Sequence, residues 1–243
     1  MSLVEFERRV NALTQMHVVD VATPVLTKDD RHHLVKVLRA NPGEEIVVTD
    51  GRGAWAFATV GDGDIVRTSD VVVDPEPTPT ELYIVPLKGD KSELAVSKLV
   101  ELGVTTIRPL ISDNMQVKFK GEHRDKILDR WQRIAREAAG QCRRTYDITI
   151  TDPVKIADVP LDVAVAEPGT TGSLRGIRAI AIGPEGGWAD GEWSEKQLRI
   201  GLGTTVLRGE TAAIVAATLL VLRGEGWAVT SYEGAVRNNG FIQ

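Results

Sequence analysis

The chain has little of several features that mark common protein classes. Its 243 residues include one cysteine, Cys142, which excludes an internal disulfide and favours a reducing compartment. No cysteine and histidine cluster has zinc-ligand spacing, so we expect no metal site. The longest apolar run, 212–222, is far shorter than the about 20 residues that span a bilayer. The first ten residues carry four charges and no apolar stretch, so we expect no signal peptide and a cytoplasmic protein.

Standard nucleotide-binding signatures are also missing. Gly61-Asp-Gly63 and Gly201-Leu-Gly203 each lack the third glycine of a dinucleotide fingerprint, because Val66 and Val206 stand in its place. Gly89-Asp-Lys-Ser92 resembles the end of a phosphate-binding loop, but an aspartate separates its glycine from its lysine and no earlier glycine leads into it. We therefore expect neither an NAD site nor an ATP site of these kinds.

A proline-rich connector divides the chain. Residues 74–80 read Asp-Pro-Glu-Pro-Thr-Pro-Thr, which neither a helix interior nor a central strand accepts. Short β-rich runs before it predict a small β-barrel or sheet, and a helix over 28–39 is expected to turn Leu34, Val37 and Leu38 inward. The predicted strands are 45–49, 54–60 and 71–73.

After the connector, strands alternate with helices, which predicts an α/β domain with a mainly parallel sheet. In the second of these helices, Ile127, Trp131, Ile134 and Ala138 recur at helical spacing, and Gly140 just beyond them is a stop signal. The predicted strands are 82–87, 105–111, 162–166, 179–182 and 204–207, and the predicted helices are 91–101, 124–139 and 210–222.

Two glycine-bearing segments stand beside predicted strands. Ile182-Gly-Pro-Glu-Gly-Gly187 ends one strand, and Leu202-Gly-Thr-Thr-Val-Leu-Arg-Gly-Glu-Thr-Ala212 leads into the last helix. Glycine lets the backbone bend sharply or approach a ligand, and α/β enzymes bind ligands at the carboxyl ends of their strands. The pair predicts one site with two walls, although each segment alone is also what a simple turn requires.

A basic segment lies between residues 117 and 144. It has nine lysines and arginines against four acids, in a chain whose net charge is −5. Such an excess is typical of a surface that contacts nucleic-acid phosphates. It is also typical of a solvated helix face with ion pairs one turn apart. The composition leaves both interpretations open.

Several motifs, taken in order, resemble the 16S ribosomal RNA (uracil-1498-N3) methyltransferase family of the SPOUT superfamily. The glycine-bearing segments Gly183-Pro-Glu-Gly-Gly187 and Val206-Leu-Arg-Gly-Glu-Thr-Ala212 are the most specific. The other matching stretches of the second half are 87–94, 101–104, 109–112, 130–139 and Gln141. Three stretches of the first half, 32–34, 37–39 and 50–53, resemble the family's N-terminal PUA-like domain. The likeness thus runs nearly end to end.

The resemblance implies a fold and a function. It implies a PUA-like β-barrel domain over residues 1–74, followed by an α/β SPOUT domain over 80–243 with a C-terminal trefoil knot. That second domain would bind S-adenosylmethionine and form a homodimer. The implied reaction is methylation of N3 of the 1498-equivalent uridine in 16S rRNA, within the small ribosomal subunit. A non-catalytic RNA-binding or assembly factor is the alternative.

The resemblance also implies site residues. The cofactor residues would be Ala166, Glu167, Ile182, Gly183, Pro184, Glu185, Gly186, Gly187, Leu202, Val206, Leu207 and Arg208. The RNA-contacting residues would be Arg31, His32, Lys36, Arg39, Arg52, Lys88, Lys91, Lys118, Arg133, Arg136, Arg143 and Arg144.

Removing the N3 proton of uracil leaves an anion, so a cation beside it lowers the barrier. Arg208 is our candidate for that cation, unless it pairs with Glu185 or Glu210. Either glutamate is a candidate base, provided that burial raises its pKa. The chain departs from the family pattern at Ser112-Asp-Asn-Met115, where an arginine is usual, and at Gly209, where a threonine is usual.

Overall fold

The structure, a computed structural model, describes residues 3–62 and 64–224. Its strands form two sheets, one within residues 15–73 and one within residues 81–200. No helix in these ranges is both long enough and apolar enough to cross a membrane.

The first sheet has five strands. They are β1 (Gln15–His17), β2 (Glu45–Thr49), β3 (Ala54–Val60), β4 (Ile65–Arg67) and β5 (Val72–Val73). Strand β1 is parallel to β2, whereas the β2–β3, β3–β4 and β3–β5 pairs are antiparallel. Helix α1 (Leu3–Asn11) precedes the sheet, and helix α2 (Lys28–His32) continues as a π-helical turn, His33–Val37. The pairs in the described residues form an open sheet.

Both faces of this sheet are buried, because its side chains alternate between two apolar clusters. Ile46 and Val48 pack with Leu34 on one face, and Val47 packs with Trp55 on the other. Leu34 is buried as predicted, and Leu38 packs against the same cluster. The prediction for Val37 was wrong: the regular helix ends early, and the π turn leaves that side chain 60% exposed.

The second sheet is parallel and has seven strands. They are β6 (Glu81–Ile84), β7 (Thr106–Ile111), β8 (Thr149–Ile150), β9 (Val154–Lys155), β10 (Ala164–Ala166), β11 (Ala179–Ile182) and β12 (Arg199–Ile200). The order is β12-β10-β11-β6-β7-β8, and β9 also pairs with β7. Helices α3 (Lys91–Glu101), α4 (Gly121–Gln141) and α5 (Gly209–Gly224) accompany it. The predicted α/β fold with a parallel sheet is confirmed.

Helices α3, α4 and α5 contribute to one large core together with strand residues such as Leu82 and Ile84. Their neighbours Tyr83 and Val85 belong to a second cluster, which contains Trp193. Strand β6 is therefore apolar on both faces, as is usual for a buried parallel strand.

A predicted strand and a predicted helix end were wrong. Residues 204–207 form an irregular loop in place of the strand: Thr204, Thr205 and Val206 are exposed and pair with no strand in the described residues. Strand β12 lies just before this loop. Helix α4 also runs through Gly140 to Gln141, and the left-handed residue that follows it is Arg143, with φ 59°. The β-branched residues at 204–206 form no strand because they pack against nothing in the described residues, whereas a Cβ at Gly140 would lie 3.3 Å from the carbonyl oxygen of Gln15.

Asp74 lies where the two sheets meet. Its carboxylate accepts hydrogen bonds from Arg9 (3.1 Å), Trp55 Nε1 (3.0 Å) and Thr145 Oγ1 (2.7 Å). Trp55 belongs to the first sheet, and Thr145 lies between α4 and β8 of the second half. One carboxylate therefore links the α1 helix, the first sheet and the approach to the second sheet.

Arg143 strengthens the same junction, and the guanidinium of Arg144 binds within the second half. Arg143 donates to the carbonyls of Arg9 (3.2 Å) and Ala12 (2.6 Å), and Arg144 donates to the carbonyl of Val100 (3.1 Å). These bonds occupy the guanidinium groups of two residues that the sequence suggested for RNA contact. We therefore leave both out of the RNA surface proposed below.

Candidate functional site

A cavity of ≈ 320 Å³ lies at the carboxyl ends of β10 and β11, beside the loop that leads into α5. It is lined by Ala166, Glu167, Pro168, Ile182, Gly183, Pro184, Glu185, Gly187, Trp188, Leu202, Gly203, Thr205, Val206, Leu207, Arg208, Gly209 and Ala212. Because β10 and β11 are parallel neighbours, their carboxyl ends meet at one edge of the sheet. The cavity lies in the size range of small-molecule sites.

The structure brings together eleven of the twelve residues that the sequence suggested for cofactor binding. Gly186 is the exception, since it does not line the cavity. Contact between the eleven and a cofactor stays a prediction. The other lining residues are Pro168, Trp188, Gly203, Thr205, Gly209 and Ala212. The last four lie within the segment 202–212 that the sequence suggested as a wall, whereas the sequence reasoning missed Pro168 and Trp188.

Two lining glycines stand where a side chain has no room. A Cβ at Gly183 would lie 3.0 Å from the Trp188 ring, and a Cβ at Gly209 would lie 2.7 Å from a methyl group of Leu87. At Gly186 the nearest atom would be the flexible Gln116 amide at 3.6 Å, an ordinary contact. Close packing thus explains glycine at 183 and 209, but not at 186.

Trp188 ties two walls of the cavity together. Its indole Nε1 donates to the carbonyl of Ala166 at the end of β10 (3.1 Å), while its ring packs against Gly183 after β11. Trp193 supports the ring edge-to-face at 5.0 Å between centroids. The only sign of this role in the sequence was the position of Trp188 directly after the glycine-bearing segment 182–187.

Residues 112–115, where the chain departs from the family pattern, follow β7 and contact the segment that begins with the glycines at 183–187. Asn114 Nδ2 donates to the carbonyl of Gly187 (3.2 Å). The Glu192 carboxylate accepts from the backbone amides of Asp113 (2.6 Å) and Ala189 (2.9 Å). Asn114 thus holds the loop at Gly187 through a side-chain hydrogen bond.

Glu185 does not meet the condition set for a general base. Partial burial by itself would raise its pKa, but hydrogen bonds from its own backbone amide, from Lys91 and from the Lys88 amide outweigh burial and hold the pKa below its usual value. Lys91 Nζ lies 3.2 Å from its carboxylate. A carboxylate with a lowered pKa is a weak proton acceptor, so the structure supports a role for Glu185 in holding the 88–91 loop.

Arg208 is exposed at the cavity, and within residues 3–62 and 64–224 it makes no ion pair with Glu185 or Glu210. Its carbonyl accepts from Ala212 in the first turn of α5. Glu210 does not line the cavity, and its Oε2 is buried without a hydrogen-bond partner among the described residues. The cation suggested for the site is therefore available to a substrate.

The suggested RNA-contacting residues are spread over both halves of the chain, mostly on helices and loops. Arg31 lies 3.6 Å from Asp64, and Arg52 lies 3.3 Å from Asp50. Those with exposed side chains are His32, Lys36, Arg39, Arg52, Lys88, Lys118, Arg133 and Arg136. RNA contact by these residues stays a prediction.

Two cations of the basic segment are paired, although neither pair spans one turn of α4. Arg130 pairs with Glu93 of α3 (2.6 Å), and Arg124 pairs with the adjacent Asp125 (2.7 Å). Arg133 and Arg136 are exposed and form no ion pair in the described part of the chain. Only part of the positive charge on α4 is therefore neutralised within the molecule.

No group of three or more potential metal ligands occurs in the described ranges. The lining of the cavity combines glycines and apolar side chains with one arginine and two glutamates, which suits an organic ligand with polar edges.

Family models match both halves of the chain. One described as an RNA methyltransferase domain matches residues 74–221, and one described as an RNA methyltransferase PUA domain matches residues 26–65. The chain is 32% identical to the ribosomal RNA small subunit methyltransferase E of a Synechocystis strain, over 80% of this chain and 71% of that protein. It is 30% identical to the protein of that name from Mycobacterium bovis, over 80% of this chain and 84% of that protein.

Solved structures agree. A methyltransferase from Legionella pneumophila in complex with bound S-adenosylmethionine superposes with a TM-score of 0.75 at 28% identity, covering 85% of this chain and 96% of that one. Ribosomal RNA small subunit methyltransferase E from Neisseria gonorrhoeae, also bound to S-adenosylmethionine, superposes with a TM-score of 0.73 at 26% identity, covering 85% of this chain and 96% of that one. The chain belongs to the ribosomal RNA small subunit methyltransferase E family of RNA methyltransferases.

Proposed function

We propose that this chain transfers a methyl group from S-adenosylmethionine to N3 of one uridine in 16S rRNA of the small ribosomal subunit. The observation that carries the proposal is the cavity at the ends of β10 and β11, in a fold shared with two solved relatives that hold this cofactor. The position equivalent to uridine 1498 comes from the family likeness.

The residues present fit the cofactor. The cavity of ≈ 320 Å³ has apolar walls at Ile182, Leu202 and Leu207, and backbone at Gly183 that no Cβ screens. Exposed peptide groups can pair with the edge of an adenine ring, and apolar walls can cover its faces. The cofactor supplies the methyl group, which is transferred by in-line displacement.

The chain's own residues would align the acceptor and stabilise its charge. Arg208, exposed at the cavity, would stabilise the anion that remains when uracil N3 loses its proton. The lowered pKa of Glu185 argues against proton abstraction by that residue. Glu210 lies outside the lining. We therefore propose that the N3 proton passes to solvent water, and that positioning and anion stabilisation, rather than Glu185 or Glu210, supply most of the rate acceleration.

The partners are part of the proposal. The exposed cations suggested for RNA contact, which in α4 are Arg133 and Arg136, would contact rRNA phosphates, which position the substrate without reading its sequence. The target base would have to leave its stack to reach the cavity. A homodimer with a knotted C-terminal region is proposed from the family likeness; residues 225–243 lie outside the described residues.

Calorimetric titration with S-adenosylmethionine tests the site. We expect saturable binding to the wild type, and a loss of affinity of about tenfold or more in Gly183→Ala, because its Cβ would press on the Trp188 ring. Gly186→Ala is the matched control and should bind as the wild type does, since its Cβ has room. Wild type that does not bind at millimolar cofactor would contradict the proposal and favour a non-catalytic RNA-binding factor.

A further inference from the structure

A second cleft lies between α4 and the edge strand β8. It measures ≈ 190 Å³ and is lined by Gln132, Ala135, Arg136, Asp147, Ile148 and Ile150. It shares no residue with the cavity described above and lies at the amino end of β8, five strands away from β12 in the sheet. The proposed function takes one of its residues, Arg136, as a phosphate contact and gives the cleft itself no role.

Two side chains in the cleft are available to a ligand. Arg136 and Gln132 are exposed, and within the described part of the chain neither makes a hydrogen bond or ion pair. Arginine offers a planar fork of five donors, and glutamine offers both a donor and an acceptor. Together they can contact a phosphate and the edge of a base.

The strand β8 adds free backbone groups. The amides of Thr149 and Thr151 donate to β7, at the carbonyls of Thr105 (2.9 Å) and Ile107 (3.1 Å). Peptide groups alternate in direction along a strand, so those of Ile148 and Ile150 point away from β7. No further strand pairs with β8 on that side among the described residues. The cleft thus presents donors and acceptors in fixed positions.

The charge of Asp147 narrows the choice of ligand. Its carboxylate lines the cleft and lies 3.0 Å from Nε2 of His17. A carboxylate accepts hydrogen bonds from the exocyclic amino groups of bases, as it does from cytosine N4. Uracil has no such group and would bring a carbonyl oxygen towards the negative charge.

We propose that this cleft binds one unpaired nucleotide of the RNA substrate whose base carries an exocyclic amino group. Arg136 contacts the phosphate or stacks on the base, Asp147 accepts from the amino group, and the peptide groups of Ile148 and Ile150 meet the base edge. Unpaired bases in RNA are recognised through such edge contacts and through stacking on arginine. The inference rests on the proposed function, because it takes RNA as the substrate.

The test is fluorescence anisotropy with the full chain and labelled oligonucleotides of about eight adenylates, cytidylates or uridylates, a length within the range that single-strand binding sites cover. We expect the adenylate or cytidylate oligomer to bind at least about fivefold tighter than the uridylate oligomer. Asp147→Ala should remove this preference without weakening uridylate binding.

Arg136→Ala should weaken adenylate and cytidylate binding by about tenfold. It should also reduce the slope of log affinity against log salt concentration by about one, the value for one lost phosphate contact. Lys126→Ala is the matched control: Lys126 is an exposed cation on the same helix, outside the cleft. It should weaken binding by less than about threefold, as a screened surface charge would.

Three outcomes would overturn the inference: equal losses in Arg136→Ala and Lys126→Ala, no preference between the oligomers, or no binding by the wild type. Each variant is also titrated with S-adenosylmethionine, and we expect wild-type affinity because the cleft and the cavity share no residue. Loss of cofactor binding by the wild type would contradict the proposed function, whatever the oligomers do.

Discussion

Replacing Asp74 tests whether its carboxylate holds the two halves of the molecule together. Asp74→Ala removes three hydrogen bonds that a charged carboxylate accepts, from Arg9, Trp55 and Thr145. A hydrogen bond to a charged group contributes about 1.5–3 kcal/mol. The Asp74 side chain retains 23% exposure, which places each bond at the low end of this range, and bonds that share one carboxylate are not additive. We expect a loss of about 3 kcal/mol in the free energy of unfolding.

The assay is thermal and urea unfolding followed by circular dichroism. For a chain of this size, about 3 kcal/mol corresponds to a fall in Tm of about 6–12 °C. Asp70→Ala, at an exposed acid four residues earlier, should change stability by no more than about 0.5 kcal/mol. If Asp74→Ala melts within about 1 °C of the wild type, the carboxylate does not hold the junction.

The pH dependence gives a second readout of Asp74. Partial burial would raise its pKa, but hydrogen bonds from Thr145, Trp55 and Arg9 outweigh burial and lower it. A lowered folded-state pKa gives stability that is present above the unfolded value of about 3.9 and is lost as pH falls through the folded value. The stability gap between wild type and Asp74→Asn should therefore be constant above about pH 5 and narrow in acid. A gap that widens in acid would contradict the assignment.

Three further predictions concern the cavity. Trp188→Phe keeps a ring but loses the hydrogen bond to the Ala166 carbonyl, so calorimetry should show cofactor affinity falling about three- to tenfold, with a larger fall in Trp188→Ala. Arg208→Ala should lower kcat by about 10²–10³ while cofactor affinity stays within about threefold; an unchanged kcat would remove Arg208 from the mechanism. Because its lowered pKa makes Glu185 a poor base, Glu185→Gln should retain kcat within about tenfold and leave the pH–rate profile between pH 6 and 9 unchanged in shape. A loss of about 10³ in kcat would restore Glu185 as the base.

Local signals in the sequence predicted the parts of the site that local chemistry determines. Gly183 directly follows the buried strand β11, and parallel strands bring their carboxyl ends together, so a wall of the site followed from the sequence. Gly209 also lines the cavity, but the strand predicted before it is a loop. The alternation of strands and helices likewise predicted the parallel sheet. The consecutive β-branched residues at 46–49 predicted β2 with its bounds.

Contacts between distant residues could not be predicted in this way. Asn114 and Gly187 are 73 residues apart, and nothing near either of them indicates their hydrogen bond. The same holds for Arg143. Its charge suggested contact with RNA, but its guanidinium donates hydrogen bonds to the carbonyls of Arg9 in α1 and Ala12 just after it. Whether Glu185 is a base depends on Lys91 and on a backbone amide, which only the fold brings to it.

Methyl transfer itself is the most direct test of the account. The purified chain would be incubated with isotopically labelled S-adenosylmethionine and with small ribosomal subunits from a strain that lacks this activity, and the 16S rRNA would be digested to nucleosides for mass spectrometry. The account predicts labelled 3-methyluridine at one position, and none with Arg208→Ala in the same reaction time. Label on a ribose or on another base, or no label with the wild type, would contradict it.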